Sequence, residues 1–204
     1  MAPPNSFGGA EIKGINMSLV ENNRKTSQHY NTPGHAHELT FSCYRGQPFL
    51  GESIFCKFLA EATSKAMSIH GYDLWAYVFM PEHVHILVHP QRDVYSISVL
   101  LHSIKQSAAR RALIYSRKNR LDLVDKMKTG HKHSPHHFWQ DGGGYDRNVF
   151  LASTLIHMVK YIHNNPLRRG LVATPEEWLW SSARDWSNSG KGSIPIAIES
   201  FPYA

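Results

Sequence analysis

The chain has 204 residues, 42% of them hydrophobic, two cysteines and a formal charge of +6. That is enough for one core and one domain; two cysteines exclude a disulfide scaffold, and no apolar run approaches the length of a membrane-spanning helix. The N-terminus lacks a basic-then-apolar leader pattern, so a cytoplasmic protein is expected.

Residues 1–33 are rich in Gly, Pro, Asn and Ser and are expected to form a flexible tail. HELTFSCYRG (37–46) reads as a first strand, with Leu39, Phe41 and Cys43 alternating with more polar neighbours. Residues 52–70 repeat apolar side chains at helical spacing, and Gly71 is a suitable stop. YDLWAYVFM (72–80) and HVHILVH (83–89) follow as two strands joined by a tight turn. A second helix spans about 96–116, with Lys105 at the margin of its apolar face. The stretch 117–145 reads as loop, with one short strand at HHFWQ. Asp146 is placed to cap a third helix over 147–164, which Asn165-Pro166 ends. The order predicts a single α+β domain over 34–187, an antiparallel sheet with helices packed on it, followed by a tail over 188–204.

The charge is clustered. Between Lys105 and His133 there are nine Lys and Arg against two acids. Such a stretch suits a polyanion, with a solvated basic helix as the plainer alternative.

Histidines in the third strand carry the chemical signal. Residues i and i+2 of a strand share a face, so His83 and His85 project together while Val84 and Ile86 project oppositely. Two imidazoles at that spacing can share a divalent metal; a separately hydrogen-bonded pair is the structural alternative. The pairs His35/His37 and His131/His133 have the same spacing but sit in polar surroundings, where exposure is expected. A further ligand is needed. In KYIHNNPLRRGLV (160–172), Tyr161 and Asn165 are four apart and share a helix face. Asn165 can offer a carbonyl oxygen to a hard ion such as Mg²⁺, and Tyr161 beside a metal-polarised phosphate can attack phosphorus. Glu82, next to the pair, is expected to face away by strand alternation. Cys43 and Cys56 read as small core residues.

MPEHVHILV, followed after an interval by YIHNNPLRRGLV, resembles the single-tyrosine HUH transposases, and the REP-associated tyrosine transposases in particular. HELTFSCYRGQPFL, FWQDGGGYDRNV and EWLWSSARDW extend the resemblance over roughly residues 35–187. It implies a ferredoxin-like or RRM-like palm and a metal-dependent endonuclease and strand transferase acting on single-stranded DNA beside palindromic hairpins. It also implies His83, His85 and Asn165 as ligands of Mg²⁺ or Mn²⁺, and Tyr161 as the nucleophile that forms a 5′-phosphotyrosine. Asn165 stands where many relatives have glutamine. Lys105, Arg110, Arg111, Arg168 and Arg169 are the expected DNA contacts, and the aromatics of HHFWQ and GGGY are candidates to stack on unpaired bases. A monomer is the expected state, with a dimer left open. The alternative function is a non-catalytic hairpin-binding protein of the same fold.

Overall fold

A computed structural model describes residues 30–202. Four strands, β1 (Ala36–Ser42), β2 (Tyr72–Phe79), β3 (His83–Pro90) and β4 (Tyr145–Val149), form one sheet in the order β2-β3-β1-β4, antiparallel at every pairing. The helices are α1 (Ser53–His70), α2 (Ile97–Asn119), α3 (Leu121–Met127), α4 (Ala152–Arg168) and the single turn α5 (Ala183–Trp186). The sequence β1-α1-β2-β3-α2-β4 in this strand order is the ferredoxin-like arrangement. Among the described residues no helix is long and apolar enough to cross a membrane.

The sheet is covered on both faces. Val84, Ile86 and Val88 of β3 and Leu39 and Phe41 of β1 meet α1 and α2 through Phe55, Leu59, Leu100 and Ile104. On the opposite face Leu87, Ala76 and Val78 meet Leu155, Val159 and Ile162 of α4. A central strand buried on both sides reads as an apolar run, which is why the two histidines stood out in β3.

Helix α1 ends as expected, at Gly71 in the left-handed conformation (φ 70°), whose N–H donates to the Met67 carbonyl. Ser96 caps α2 by accepting from Val99 N–H. Three expectations differ. Residues 145–149 form β4 rather than the start of a helix, and Asp146 is no cap: its carboxylate holds His37 Nδ1 at 2.8 Å. HHFWQ makes only isolated bridges, Cys43 with Trp139 and Lys128 with His136. Residues 121–127, read as loop, form α3, whose Leu123 and Met127 are buried.

Helix α4 continues through Pro166 to Arg168. Proline removes the N–H that would have met the Ile162 carbonyl. The Asn165 side chain compensates, its Nδ2 donating to the carbonyls of Tyr161 (2.8 Å) and Ile162 (3.4 Å).

The expected tails meet the structure only in part. The reading for residues 1–29 lies outside the described residues. Residues 30–32 are docked, Asn31 Oδ1 accepting from Ile97 N–H and the Thr32 carbonyl from the Tyr95 hydroxyl. Residues 188–202, expected as a tail, return to the sheet: Ile194 and Phe201 are buried, and Ala197 N–H donates to the Leu74 carbonyl. Residues 180–182 run along the β2 edge, and Trp178 and Trp186 donate their indole N–H groups to the Phe79 and Trp75 carbonyls. Such pairing protects an edge that would otherwise be open.

His163 ties α4 to this segment. Its Nε2 bonds Ser182 Oγ at 2.8 Å, and Ser182 Oγ accepts from Tyr77 N–H. Burial pushes the His163 pKa down to about 4. The unfolded chain, with histidine near 6.5, therefore binds the extra proton first, and stability falls as pH drops from 6.5 toward 4. Roughly 3 kcal/mol is at stake, at about 1.4 kcal/mol per pH unit of depression. Denaturant unfolding of the wild type should show this loss, and His163→Gln should flatten the slope in that window.

Candidate nucleic-acid active site

His83 and His85 project from β3 toward the α4 side of the sheet, with ring centroids 5.0 Å apart and planes nearly perpendicular. The partner strand supplies what surrounds them. Thr40 pairs with His85 and Glu38 with Leu87, so Glu38 and Thr40 share the histidine face. His85 is only 6% exposed. Its Nδ1 lies 2.8 Å from Thr40 Oγ1 and 3.0 Å from Glu38 Oε1. The Thr40 hydroxyl donates to Glu38 at 2.7 Å, so the proton between His85 and these oxygens belongs to the imidazole. With Nδ1–H engaged, Nε2 keeps its lone pair. Among the described residues Glu38 forms no ion pair with lysine or arginine, and His85 is its titratable neighbour at 3.0 Å.

His83 is treated alike from the other side. Its Nδ1 lies 3.1 Å from Glu82 Oε1, and that oxygen also accepts from Arg169 Nη1. The expectation that Glu82 faces away fails because Glu82 lies in the turn before β3, outside the strand alternation; its carbonyl accepts from Cys43 N–H at 2.8 Å. Burial opposes ionisation of Glu82, but Arg169 and His83 outweigh it and the pKa falls below the usual carboxylate range. Burial, with His85 alongside, pushes the His83 pKa down despite Glu82, which keeps the ring neutral near pH 7.

Helix α4 brings Tyr161 to this pair. Its ring stands edge-on to His85 at 5.5 Å between centroids, while 41% of the residue stays exposed. The guanidinium of Arg168 lies over the Tyr161 ring at 5.6 Å. Asn165 is 9% exposed. With its amide hydrogens spent on the helix carbonyls, it has Oδ1 left to offer. Among the described residues no three His, Cys, Asp or Glu side chains converge on a cation position. His83 and His85 each present an imidazole on β3, and Asn165 an amide oxygen on α4.

The expected DNA contacts are dispersed. Arg168 and Arg169 adjoin the site, Arg169 through Glu82. Lys105, Arg110 and Arg111 lie on α2, on the far side of the sheet. Lys105 Nζ donates to the Gly142 carbonyl at 2.8 Å and borders a groove of about 530 Å³ between α2 and residues 134–143. Burial lowers its pKa although Asp141 acts the other way. Arg111 pairs with Glu61 at 2.6 Å and covers the Phe58 ring. Arg110 is exposed.

Two further expectations are corrected. Phe138 and Trp139 are buried against Phe49 and Phe41, which leaves no open face for a base; Tyr145 is the exposed aromatic of the following segment, at 57%. His37, expected to be exposed, is fully buried between Asp146 and Tyr95, whereas His131 and His133 are exposed.

The model of the IS200-like transposases matches residues 32–165, a span that runs from the docked N-terminal segment to Asn165. The chain belongs to the IS200-like transposase family. No curated protein matches it in sequence. Its fold is similar to that of a REP-associated tyrosine transposase solved bound to a REP hairpin, at 19% identity and a TM-score of 0.59, covering 86% of this chain and 93% of that one. A candidate transposase from Deinococcus radiodurans R1 matches at 21% identity and a TM-score of 0.38, over 69% of this chain and 96% of that one.

In this IS200-like chain a glycine packs against the backbone of the strand that carries Thr40. Gly144 has φ +78°, and a Cβ there would lie 2.2 Å from the carbonyl oxygen of Thr40, the residue that bonds His85. Gly142 has φ +96° but open space around it. Gly144→Ala should cost about 3 kcal/mol or more, from backbone strain and overpacking together, whereas Gly142→Ala should cost about 1 kcal/mol from strain alone. Urea unfolding of the two variants checks the contrast.

Proposed function

We propose that this transposase is a metal-dependent endonuclease and strand transferase acting on single-stranded DNA next to hairpins formed by short palindromic repeats. The observation that carries the reading is the Tyr161 ring against His85, an imidazole whose Nδ1 is already taken by a carboxylate-threonine pair. The hairpin carried by the structurally similar REP-associated transposase supports the choice of DNA partner.

The side chains fit a divalent ion such as Mg²⁺ or Mn²⁺. His83 and His85 would hold it through Nε2 and Asn165 through Oδ1, and the buried Glu38 carboxylate gains a compensating charge. When bound, the ion supplies charge neutralisation at the scissile phosphate. Tyr161 Oη attacks phosphorus, forming the Tyr–O–P bond as the P–O3′ bond breaks; the phenol gives its proton to water and the departing O3′ takes one up. A 5′-phosphotyrosine and a free 3′-OH result. Attack of a 3′-OH on that linkage reverses the step and rejoins strands without ATP, since the phosphodiester energy is kept in the covalent bond. Arg168, resting on the Tyr161 ring, offers a guanidinium to the phosphate, and the exposed Arg110 a more distant backbone contact.

A labelled oligonucleotide carrying a palindromic hairpin from the repeats flanking the gene, incubated with Mg²⁺ or Mn²⁺ and run on denaturing gels, tests the reading. The wild type should form a denaturant-resistant adduct that chelator prevents and Tyr161→Phe abolishes. A native complex with no adduct in either metal would instead make the protein a non-catalytic hairpin binder, and an adduct that survives Tyr161→Phe would displace Tyr161 as the nucleophile.

A further inference from the structure

The last turn of α4 holds a contact that the proposed chemistry does not use. Glu82 Oε1 accepts at once from His83 Nδ1 and from Arg169 Nη1. Arg169 is the C-cap of α4, and its N–H donates to the Asn165 carbonyl. Its neighbour Arg168 lies over Tyr161, two helical turns back. Two consecutive arginines thus grip the two parts of the site, one on the tyrosine and one on the carboxylate that orients His83. Glu82 is a firm anchor: its own carbonyl is held by Cys43 N–H and that of Pro81 by Leu50 N–H.

A phosphate contact was the sequence expectation for Arg169. Its guanidinium already faces the Glu82 carboxylate, so DNA would have to displace that partner. The Arg169 side chain is 47% exposed and that of Glu82 24%, and pairs so placed add little to global stability. Their effect is on position, and a displacement of a reacting group by about 1 Å can cost about 100-fold in rate.

We propose that Glu82 and Arg169 form a latch that sets how the Tyr161 helix approaches the histidine pair, so that both are positioning residues for strand cleavage. Glu82 orients His83 and, through Arg169, docks the end of α4 on the turn before β3. The inference rests on the function proposed above.

The test uses the full chain with the hairpin oligonucleotide and four variants: Arg169→Ala, Arg169→Lys, Glu82→Gln and the Glu82→Gln/Arg169→Ala double. Arg169→Ala should lower kcat for adduct formation about 10-fold or more while KM and the salt dependence of DNA binding stay unchanged. Arg169→Lys should recover most of that loss. Amide exchange over residues 165–170 should rise in Arg169→Ala and in Glu82→Gln. Glu82→Gln should in addition weaken Mn²⁺ binding, read by electron paramagnetic resonance, about 10-fold. The double variant should be no slower than Glu82→Gln, as expected of residues acting as a unit. A raised KM with a salt slope reduced by about one in Arg169→Ala would make Arg169 a phosphate contact and overturn the latch, as would additive effects in the double. If the wild type forms no adduct, the catalytic reading fails by itself. Exchange and Mn²⁺ binding then decide the latch: increased exchange in both single variants supports it, and unchanged exchange overturns it.

Discussion

The site is built on one constraint: a histidine buried in the middle of a sheet must find acceptors for its ring proton. His85 has no water to turn to at 6% exposure. The facing strand supplies Thr40 and Glu38, and once Nδ1–H is committed to them the other nitrogen is free as an electron-pair donor. The carboxylate that solves the histidine's problem creates one of its own, a buried negative charge. The cation proposed on the far side of the imidazole would satisfy both. Side chains that read separately as polar residues on a strand therefore act as a unit, and the same logic recurs at His83 with Glu82 and Arg169.

The second requirement is that something cover this polar face without sealing it. Helix α4 does so with a narrow apolar stripe, Leu155, Val159 and Ile162, packed on β2 and β3. Tyr161 lies beside that stripe, close to His85 and still open to solvent. Asn165 shows how closely local folding and site chemistry are joined. Its amide nitrogen repairs the gap that Pro166 leaves in the helix, and that bond turns its oxygen into the remaining group on offer. The Asn165 amide thus lets the helix continue past Pro166, and the same two bonds fix the rotamer of its side chain.

Much of this was legible from the chain. The i, i+2 rule separates His83 and His85 from Val84 and Ile86, and helical spacing puts Tyr161 with Asn165. The strands β1, β2 and β3 and the helices α1 and α2 follow from periodicity, whereas the ferredoxin-like palm came from the family resemblance. The misses have particular causes. Glu38 and Thr40 looked like the solvent side of a half-buried strand, because alternation says which residues share a face and not what that face meets. Glu82 was read by strand parity although it belongs to a turn. β4 was hidden because YDRNV is short and polar, with only Val149 buried, and an Asp before an apolar helical run imitates a cap. His37 lay beside Gly34 and Pro33 and so looked exposed; its partners Asp146 and Tyr95 are distant in sequence, a distance that no local pattern spans.

The region matching the family ends at Asn165, yet the pose of α4 depends on residues beyond it. Ser182 receives both His163 and the Tyr77 backbone, Trp178 and Trp186 clamp onto β2 carbonyls, and Phe201 enters the core beneath the helix. These contacts bury apolar surface and satisfy backbone groups on one side of α4, while the Arg168 and Arg169 contacts act at its end. An amphipathic helix held only by its apolar stripe could slide or roll by a fraction of a turn at small cost. Fixing it from the back through His163 and at the end through Arg169 removes both freedoms. The segment after the tyrosine motif is thus part of what holds Tyr161 at His85, although it contributes no group to the site itself.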